Sequence, residues 1–491
     1  MRALAAGRGW RLCQASPLLG QSFRAACGRA LSSRASDGGD ESFTEIKIDR
    51  SGLRGQTQFY ASGEGESVGP SPASLNAPVP STALGRLLAR TIRASQPMSV
   101  AEFMKQCLTH NTLGYYSKSD VFGASGDFVT APEVSQTFGE LVGVWCVTIM
   151  HKLPLRSKIE LVELGPGRGT MIADALRAIK TLLKSPRWAD RLELHLVEAS
   201  SKLREMQQAK LQPFMDEAGG GLKVHWFDSV HAYHASKDSF NAAPIFLAQE
   251  FFDALPVHQL VWDPALAVWR EKMVAADEKD QLSMVVSRAR TKACMYMDAP
   301  AYKERVVSAL ETKALPGGCV EICPEALVVM ELVLDVMRRS VPGGSALVID
   351  YGNGGPIASS VRAIQRHQFQ HILTAPGEAD LTADVDFGAL SSAVDNVMHS
   401  RKQGVEYVHG LCEHGMVTQA DFLVELGIRE RFQALAAKAG TSEQELAKLQ
   451  KDFVRLVSPD EMGTVYKAWC TTTDNLSNIY GFSHRAEPER T

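Results

Sequence analysis

The sequence predicts an α/β fold around a parallel β-sheet, with a helical section before the sheet and a β-rich insertion within it. Between residues 158 and 256, short apolar runs alternate with segments of helical period, which is typical of parallel strands covered on both faces. Residues 257–289 resemble strands joined by polar turns, and residues 84–108 space their apolar side chains at helical intervals. With 491 residues, 45 % of them hydrophobic, the chain can form two or three domains.

The amino-terminal 36 residues have the composition of a mitochondrial transit peptide. They contain six Arg but no Lys, Asp or Glu, and the arginines interrupt every apolar core that a secretory signal would need. We therefore predict import into the mitochondrion (matrix), with a merely disordered tail as the alternative. Removal of this segment takes the formal net charge from −4 to −10, which argues against non-specific nucleic-acid binding through a basic surface.

The cysteines indicate a reduced compartment. Seven of the nine lie beyond residue 36 and form no CxxC pair, so no disulfide framework is expected. Cys319 and Cys323, in CVEIC, are interpreted as buried thiols because no second ligand pair follows, and no metal site is predicted. No apolar run approaches the ~20 residues that a membrane span needs.

Composition and periodicity divide the rest of the chain into consecutive parts. Ser99 is predicted to cap a helix within the first folded part. The parts are a disordered Gly/Ser/Pro-rich linker (37–80), a helical section with a GDF loop (81–157), the cofactor-binding α/β core (158–256), the inserted β element (257–318), the remainder of the core with the substrate side (319–475) and a tail (476–491).

The segment ELGPGRGT joins an apolar strand, IELV, to a helical run, MIADALRAIKTLL. Its glycines, Gly165, Gly167 and Gly169, allow positive φ and a close approach of a ligand to the backbone. The dinucleotide pattern GxGxxG would need glycine at Thr170, and no Lys-Ser or Lys-Thr pair completes a P-loop. Glu163 would repel phosphate but attract the ammonium and sulfonium groups of S-adenosylmethionine (SAM). A ligand-free strand-to-helix turn is the alternative.

Two more acidic residues follow the next strands of the predicted sheet. Glu198, in LVEAS, is placed to accept hydrogen bonds from both ribose hydroxyls, as acidic residues do at this position in nucleotide-binding sheets. Asp228, after LKVHWF, is placed to meet the adenine amino group. The alternatives are a solvated strand-end glutamate and a helix N-cap, respectively.

The fourth strand leads into QEFFDALP, which places Gln249, Glu250 and Asp253 beside the cofactor. Two carboxylates next to a methyl donor, with Phe251 and Phe252 excluding water, suit a cationic acceptor such as arginine. Glu250 and Asp253 are therefore the catalytic candidates, and Gln249 is assigned to the cofactor. Alternatively, Asp253 is the N-cap of a helix that begins at this segment.

Several other polar residues have weaker assignments. Glu321 and Asp350 are substrate-side candidates, and the glycines after Asp350 form a loop that can act as a lid. Glu325 equally suits the first turn of a helix, and Glu133, in TAPE, has capping-box spacing. His367 and Asp380 form a polar cluster without a clear partner.

Several long motifs in this order resemble the MidA-like family of mitochondrial SAM-dependent protein-arginine methyltransferases. The resemblance covers about residues 81–475. It implies a Rossmann-like, seven-stranded class I methyltransferase core that symmetrically dimethylates an arginine on a matrix-arm subunit of respiratory complex I and so serves its assembly. The motifs are LGYY, GDFVTAPEVSQTFGE, VELGPGRGTMIADALR, LVEAS, QEFFDALPVHQ, PGEADLTADVDF and GLCEHGMVTQADFLVELGI.

The resemblance assigns SAM binding to the three loop glycines and Glu198. Through GDFVT it implies that Asp127 and Phe128 belong to the substrate-side wall, together with QEFFD. Gln249 departs from the family, in which Asn is common at this position. A non-catalytic SAM-binding assembly chaperone and an NAD-dependent dehydrogenase are the competing hypotheses.

Overall fold

The computed structural model describes most of the chain from residue 82 to residue 483. The predicted transit peptide, the predicted linker, and the loop that holds Asp127 and Phe128 lie outside the described residues. The described ranges are 82–117, 129–185, 187–217, 221–298, 300–311, 315–400, 404–438 and 442–483.

The helices of the described residues occur before, between and after the strands. They are α1 (Ala83–Ala94), α2 (Val100–Thr109), α3 (Ala131–Val134), α4 (Gln136–Lys152), α5 (Thr170–Leu183), α6 (Ser201–Met215), α7 (Val230–Ala235), α8 (Pro300–Glu311), α9 (Pro324–Arg339), α10 (Phe387–His399), α11 (Gln419–Glu425), α12 (Ile428–Ala436), α13 (Glu443–Val457) and α14 (Met462–Val465).

Within the described residues, the strands form three sheets. They are β1 (Met98–Ser99), β2 (Lys158–Leu164), β3 (Leu192–Val197), β4 (Lys223–Phe227), β5 (Ala242–Gln249), β6 (His258–Asp263), β7 (Val268–Ala276), β8 (Leu282–Val286), β9 (Cys319–Ile322), β10 (Ser345–Asn353), β11 (Arg362–Gln365), β12 (Gln368–Gln370), β13 (Asp380–Thr382), β14 (Val385–Asp386), β15 (Leu411–Thr418) and β16 (Tyr466–Thr473).

The central sheet has the strand order β15-β16-β10-β5-β2-β3-β4, and β14 adds a short parallel pair to β10. The strands from β10 to β4 are parallel, whereas β16 runs antiparallel to both of its neighbours. Counted along the chain, this is the order 6-7-5-4-1-2-3 of a seven-stranded methyltransferase core. The predicted fold class is confirmed, and the antiparallel β16 separates it from the parallel NAD-binding sheet.

Helices cover both faces of the central sheet. On one face, α4 packs closely against α5, because Gly143 has no side chain and a Cβ there would lie 2.5 Å from the carbonyl oxygen of Ala175. Phe138 and Trp145 of α4 are fully buried in the core on this side. On the other face, α9 and α10 bury their apolar side chains against β2, β5 and β10. The strand ends are thereby held in fixed positions around the glycine loop.

The β-rich insertion joins the amino-terminal helices in an accessory lobe. Its sheet has the order β1-β7-β6-β9, with β8 paired to β7, so the sheet includes a strand before the core and one just beyond residue 318. A small antiparallel sheet, β12-β11-β13, packs against α1 and α2 in the same hydrophobic cluster, which contains Leu88, Phe103, Val274 and Leu381. Three segments distant in sequence therefore form one lobe beside the core.

Some local predictions agree with the structure and others do not. Ser99 caps α2, and its hydroxyl accepts a hydrogen bond from the Glu102 amide at 3.1 Å. The capping box at TAPE is wrong, since the side chain of Thr130 makes no cap hydrogen bond and Glu133 instead lies 3.8 Å from Arg168. No helix follows Asp253 directly, which eliminates its N-cap alternative.

The described part of the carboxyl-terminal tail packs onto the core. Ile479 and Phe482 are buried, and the ring of Phe482 lies 5.6 Å from that of Phe422. None of the helices that the structure describes is both long enough and apolar enough to span a bilayer.

Candidate active site

The glycine loop has the backbone conformation that its sequence predicts. Gly165, Gly167 and Gly169 have φ values of 65°, 52° and 73°, in the left-handed region that glycine adopts without strain. A Cβ at Gly165 would also lie 2.8 Å from the ring of Phe251, so two independent constraints select glycine there. Gly169 is the N-cap of α5, and the first amides of that helix point into the loop region.

Glu163 is the penultimate residue of β2, directly before this loop. It is 3 % exposed, and its Oε2 atom has no hydrogen-bond partner among the described residues. Burial, with a smaller contribution from Glu198, raises the pKa of Glu163 to about 8. A buried carboxylate with an unsatisfied oxygen fits a cationic group, which would stabilise its ionised form.

Glu198 directly follows β3. Its Oε1 accepts from the amide of Ser200 at 2.8 Å and its Oε2 from the side chain of Gln207 at 3.3 Å, so each oxygen keeps a free lone pair for a hydroxyl group. Burial raises the pKa of Glu198 to about 7. The structure thus provides the paired acceptor that the ribose prediction requires.

Gln207, on α6, is a site residue that the sequence pattern did not indicate. It is fully buried and donates to the carbonyl oxygen of Gly167 at 2.7 Å as well as to Glu198, while its own oxygen accepts from the indole of Trp226 at 2.9 Å. Gln207 therefore positions the glycine loop relative to Glu198. In the sequence SSKLREMQQAKL, Gln207 lies four residues from Leu203 and from Leu211, on the apolar face of an otherwise polar helix. This position is the one signal that could have indicated its role.

Asp228 follows β4 and remains largely exposed. It forms an ion pair with Arg204, whose guanidinium also donates to the carbonyl oxygen of Glu198 at 2.7 Å. The N-cap of α7 is Ser229, so the alternative of Asp228 as a helix cap is wrong. The assignment of Asp228 to the adenine group stays a prediction.

Gln249 and Glu250 lie at the carboxyl end of β5, next to the glycine loop. Glu250 has φ 48°, a conformation that costs a non-glycine residue roughly 1–3 kcal/mol and that clusters at functional sites. Its carboxylate receives hydrogen bonds from the side chains of Gln249 and Tyr466 and from the Ala131 amide. Burial, with repulsion from Asp253, raises the pKa of Glu250 to about 8.

Asp253 is the second predicted catalytic residue, and only 8 % of its surface is exposed. Its Oδ2 accepts hydrogen bonds from the hydroxyls of Tyr351 and Thr382, whereas Oδ1 has no partner among the described residues. Burial raises its pKa above the ordinary value. Oδ1 of Asp253 can therefore accept a hydrogen bond from a bound substrate.

Asp350 supports this arrangement. Its Oδ2 accepts from the amides of Phe252 and Asp253, at 3.1 and 3.3 Å, and thereby fixes the turn that carries the catalytic candidates. The predicted glycine loop does not begin directly after Asp350. The strand β10 continues to Asn353, and Gly352 pairs with Val385 of β14. The structure therefore gives Asp350 a positioning role.

Glu321 is held by hydrogen bonds from the protein. Its carboxylate is 4 % exposed and accepts hydrogen bonds from the side chain of Gln259 at 2.7 Å and from the amides of Ser360 and Val361 at 2.9 and 3.1 Å. These bonds tie β9 to the segment before β11. Glu321 also lines a cavity together with Phe252, so its substrate-side assignment stays a prediction. Glu325 lies in the first turn of α9.

The predicted cluster of His367 and Asp380 does not form. His367 is exposed in the turn between β11 and β12, while Asp380, on β13, accepts from the hydroxyl of Tyr116 at 3.4 Å. Tyr116 also reaches the cofactor side, since its carbonyl oxygen accepts from the Ser200 hydroxyl at 3.4 Å. The accessory lobe thus contacts the cofactor side through the backbone of Tyr116.

Comparisons with known proteins identify the family. A sequence family described as "Putative S-adenosyl-L-methionine-dependent methyltransferase" matches residues 141–405, more than half of the chain. The chain belongs to this methyltransferase family. Its cofactor is SAM, and the loop of Gly165, the unsatisfied Glu163 oxygen and the paired acceptor at Glu198 suit that molecule.

Relatives with assigned activities cover most of the sequence. The mitochondrial protein arginine methyltransferase NDUFAF7 of Danio rerio is 37 % identical over 391 residues, which span 77 % of this chain and 83 % of the relative. The Homo sapiens protein of the same name is 34 % identical over 400 residues, or 78 % and 82 % of the two chains.

A solved structure shows the same fold. A protein of Burkholderia thailandensis, crystallised with S-adenosyl-homocysteine, superposes with a TM-score of 0.63 and 22 % identity over 86 % of this methyltransferase and 98 % of that chain. At this identity the likeness supports the fold alone.

Proposed function

We propose that this methyltransferase transfers methyl groups from SAM to an arginine side chain of a protein substrate. The observation that carries the proposal is the pair of carboxylates at the strand end beside the glycine loop, the half-buried Glu250 and the buried Asp253. Both have raised pKa values, and Asp253 keeps an unsatisfied oxygen. A guanidinium would supply the missing donors and the positive charge together. The names of the relatives above point to the same acceptor.

When bound, SAM supplies the electrophilic methyl group and departs as S-adenosyl-homocysteine. Glu250 and Asp253 hold the planar guanidinium by bidentate hydrogen bonds, so that one nitrogen faces the methyl carbon. The attacking nitrogen must lose a proton once its new bond to carbon has formed. Glu250, with a pKa of about 8, is suited to accept this proton. Tyr351 and Thr382 keep Asp253 in place through their hydroxyl hydrogen bonds.

The finer assignment follows the family resemblance. We propose symmetric dimethylation of an arginine on a matrix-arm subunit of respiratory complex I, in the mitochondrial matrix, as a step needed for assembly of that complex. The arginine-rich, acid-free start of the chain supports import, and the relatives are named mitochondrial.

The test follows labelled methyl groups from SAM onto proteins of a matrix extract, with mass spectrometry to locate modified arginine. We expect dimethylarginine on one main substrate with the normal protein. Glu250→Gln should reduce transfer by about 100-fold or more, since it removes a charge-assisted contact and the proton acceptor. The matched control, Glu278→Gln, changes an exposed glutamate in the turn between β7 and β8 and should leave transfer unchanged.

The outcomes separate the competing hypotheses. Absence of transfer by the normal protein, together with intact SAM binding, would favour the non-catalytic chaperone. Transfer to lysine or to a small molecule would contradict the proposed acceptor. Equal transfer by Glu250→Gln and the normal protein would remove Glu250 from the mechanism.

A further inference from the structure

A second group of polar side chains lies on β3 and β4, at the end of the sheet opposite the glycine loop. Glu193 and His195 are two residues apart on β3 and so share one face, where His225 of β4 is the register partner of His195. The Oε2 atom of Glu193 lies 3.9 Å from Nε2 of His195 and 3.8 Å from Nε2 of His225. One ligand atom from each residue falls within 4.8 Å of the other two.

His195 is unsatisfied in this position. It is 7 % exposed, and neither of its ring nitrogens has a hydrogen-bond partner within the part of the chain that the structure describes. The ring is held between Phe227, stacked at 5.6 Å, and Tyr233, edge-on at 5.5 Å. A buried imidazole normally makes at least one hydrogen bond, so the nitrogen that faces Glu193 lacks a partner that a ligand would supply.

Lys223 fixes the orientation of the Glu193 carboxylate. Its Nζ atom donates to Oε1 of Glu193 at 3.2 Å, which leaves Oε2 toward the two histidines.

We propose that Glu193, His195 and His225 bind a zinc ion that clamps the edge strand β4 to β3. Two imidazoles and one carboxylate form a ligand set that zinc accepts, with metal–ligand distances of about 2.0–2.2 Å. Tetrahedral geometry then requires ligand atoms roughly 3.3 Å apart, so the present separations close by small side-chain rotations. His225 is half exposed, and water can occupy the fourth position.

This site is distinct from the methyltransferase site. His195 and Glu193 precede Glu198 by three and five residues, which corresponds to roughly 10 and 16 Å at the rise of a parallel strand. The proposal therefore does not depend on the proposed acceptor.

The experiment uses the full chain after treatment with a chelator. Zinc is titrated by calorimetry, and Co²⁺ is used as a spectroscopic probe of tetrahedral coordination. We expect one zinc per chain, a visible Co²⁺ absorption band and a rise in melting temperature with zinc. Loss of a ligand in His225→Ala should weaken zinc binding at least about tenfold and abolish the rise. The matched control, His231→Ala, removes an exposed histidine of α7 and should retain both.

Several outcomes would overturn the proposal. These are no zinc binding by the normal chain, equal zinc affinity in His225→Ala, an equal loss in His231→Ala, or Mg²⁺ binding as tight as zinc binding, since Mg²⁺ prefers oxygen ligands. SAM affinity is measured on the same samples. Its retention in His225→Ala shows that the variant is folded, so a lost zinc site is not mistaken for a lost fold.

Discussion

The two halves of the active site are built in different ways. The cofactor half comprises the glycine loop, Glu163, Glu198 and Gln207, and comes from one continuous βαβα segment. The acceptor half comprises Glu250, Asp253, Tyr351, Thr382 and Tyr116, which four separate segments bring together. Backbone conformation determines the first half, whereas long-range hydrogen bonds determine the second. Substitutions should therefore separate cofactor binding from methyl transfer.

The largest effect is expected in the cofactor half. Gly165→Val places a branched side chain against Phe251 and forces a strained φ of 65°, so SAM affinity should fall about 100-fold or more. Calorimetry with SAM measures this change. Gly404→Val is the matched control and should keep normal affinity. Gly404 has φ 77°, but no atom of the described residues lies within 4 Å of the position that a Cβ would take. Equal affinities for the two variants would contradict the assignment of the loop.

A substitution in the acceptor half should lower methyl transfer without lowering SAM affinity. Asp253→Asn preserves the shape of the side chain and its acceptor for Tyr351 and Thr382 but removes the charge that faces a guanidinium. We expect methyl transfer to fall about 10- to 100-fold, the loss of one charge-assisted hydrogen bond, with SAM affinity within about twofold of normal. A parallel loss of SAM affinity would show that the two halves are not separable.

The smallest effect is expected on stability, through pH. Folding raises the pKa values of Glu163 and Glu250 from 4.5 to about 8, so the folded state keeps protons that the unfolded state releases between these values. The free energy of unfolding without SAM should therefore fall as pH rises from about 5 to about 8. Glu250→Gln removes one titrating group and should lessen this fall by on the order of 1 kcal/mol.

Chemical denaturation at several pH values across this range measures the dependence. Glu278→Gln, at an exposed position, should reproduce the normal slope. A stability that rises over this range would mean that the carboxyl groups of Glu163 and Glu250 are ionised in the folded protein, and it would contradict their raised pKa values.

The sequence predicted the cofactor half well because its signals are local. A strand, a turn that needs positive φ and a helix follow one another, so Gly165, Gly167 and Gly169 could be placed from the pattern alone. Gln207 escaped notice because its contacts lie 40 residues away at Gly167 and 9 away at Glu198. Its helix carries no residue pattern that predicts those partners.

Other contacts that the sequence did not indicate have the same cause. Folding brings Gln259 and Ser360 to the carboxylate of Glu321. The histidines at 195 and 225 carried no spacing signal either, since they meet only through the pairing of β3 with β4.

The sequence by itself determined the α/β class and the SAM loop, because hydrophobic period and glycine placement act over a few residues, while the seven-stranded core was implied by the family resemblance. Only the tertiary structure decided which carboxylates stay unsatisfied. That depends on which distant hydroxyl, amide or ring reaches each one: Tyr351 and Thr382 satisfy one oxygen of Asp253, while Glu163 keeps a free oxygen in the core. Burial without a partner then raises the pKa values on which the chemistry depends.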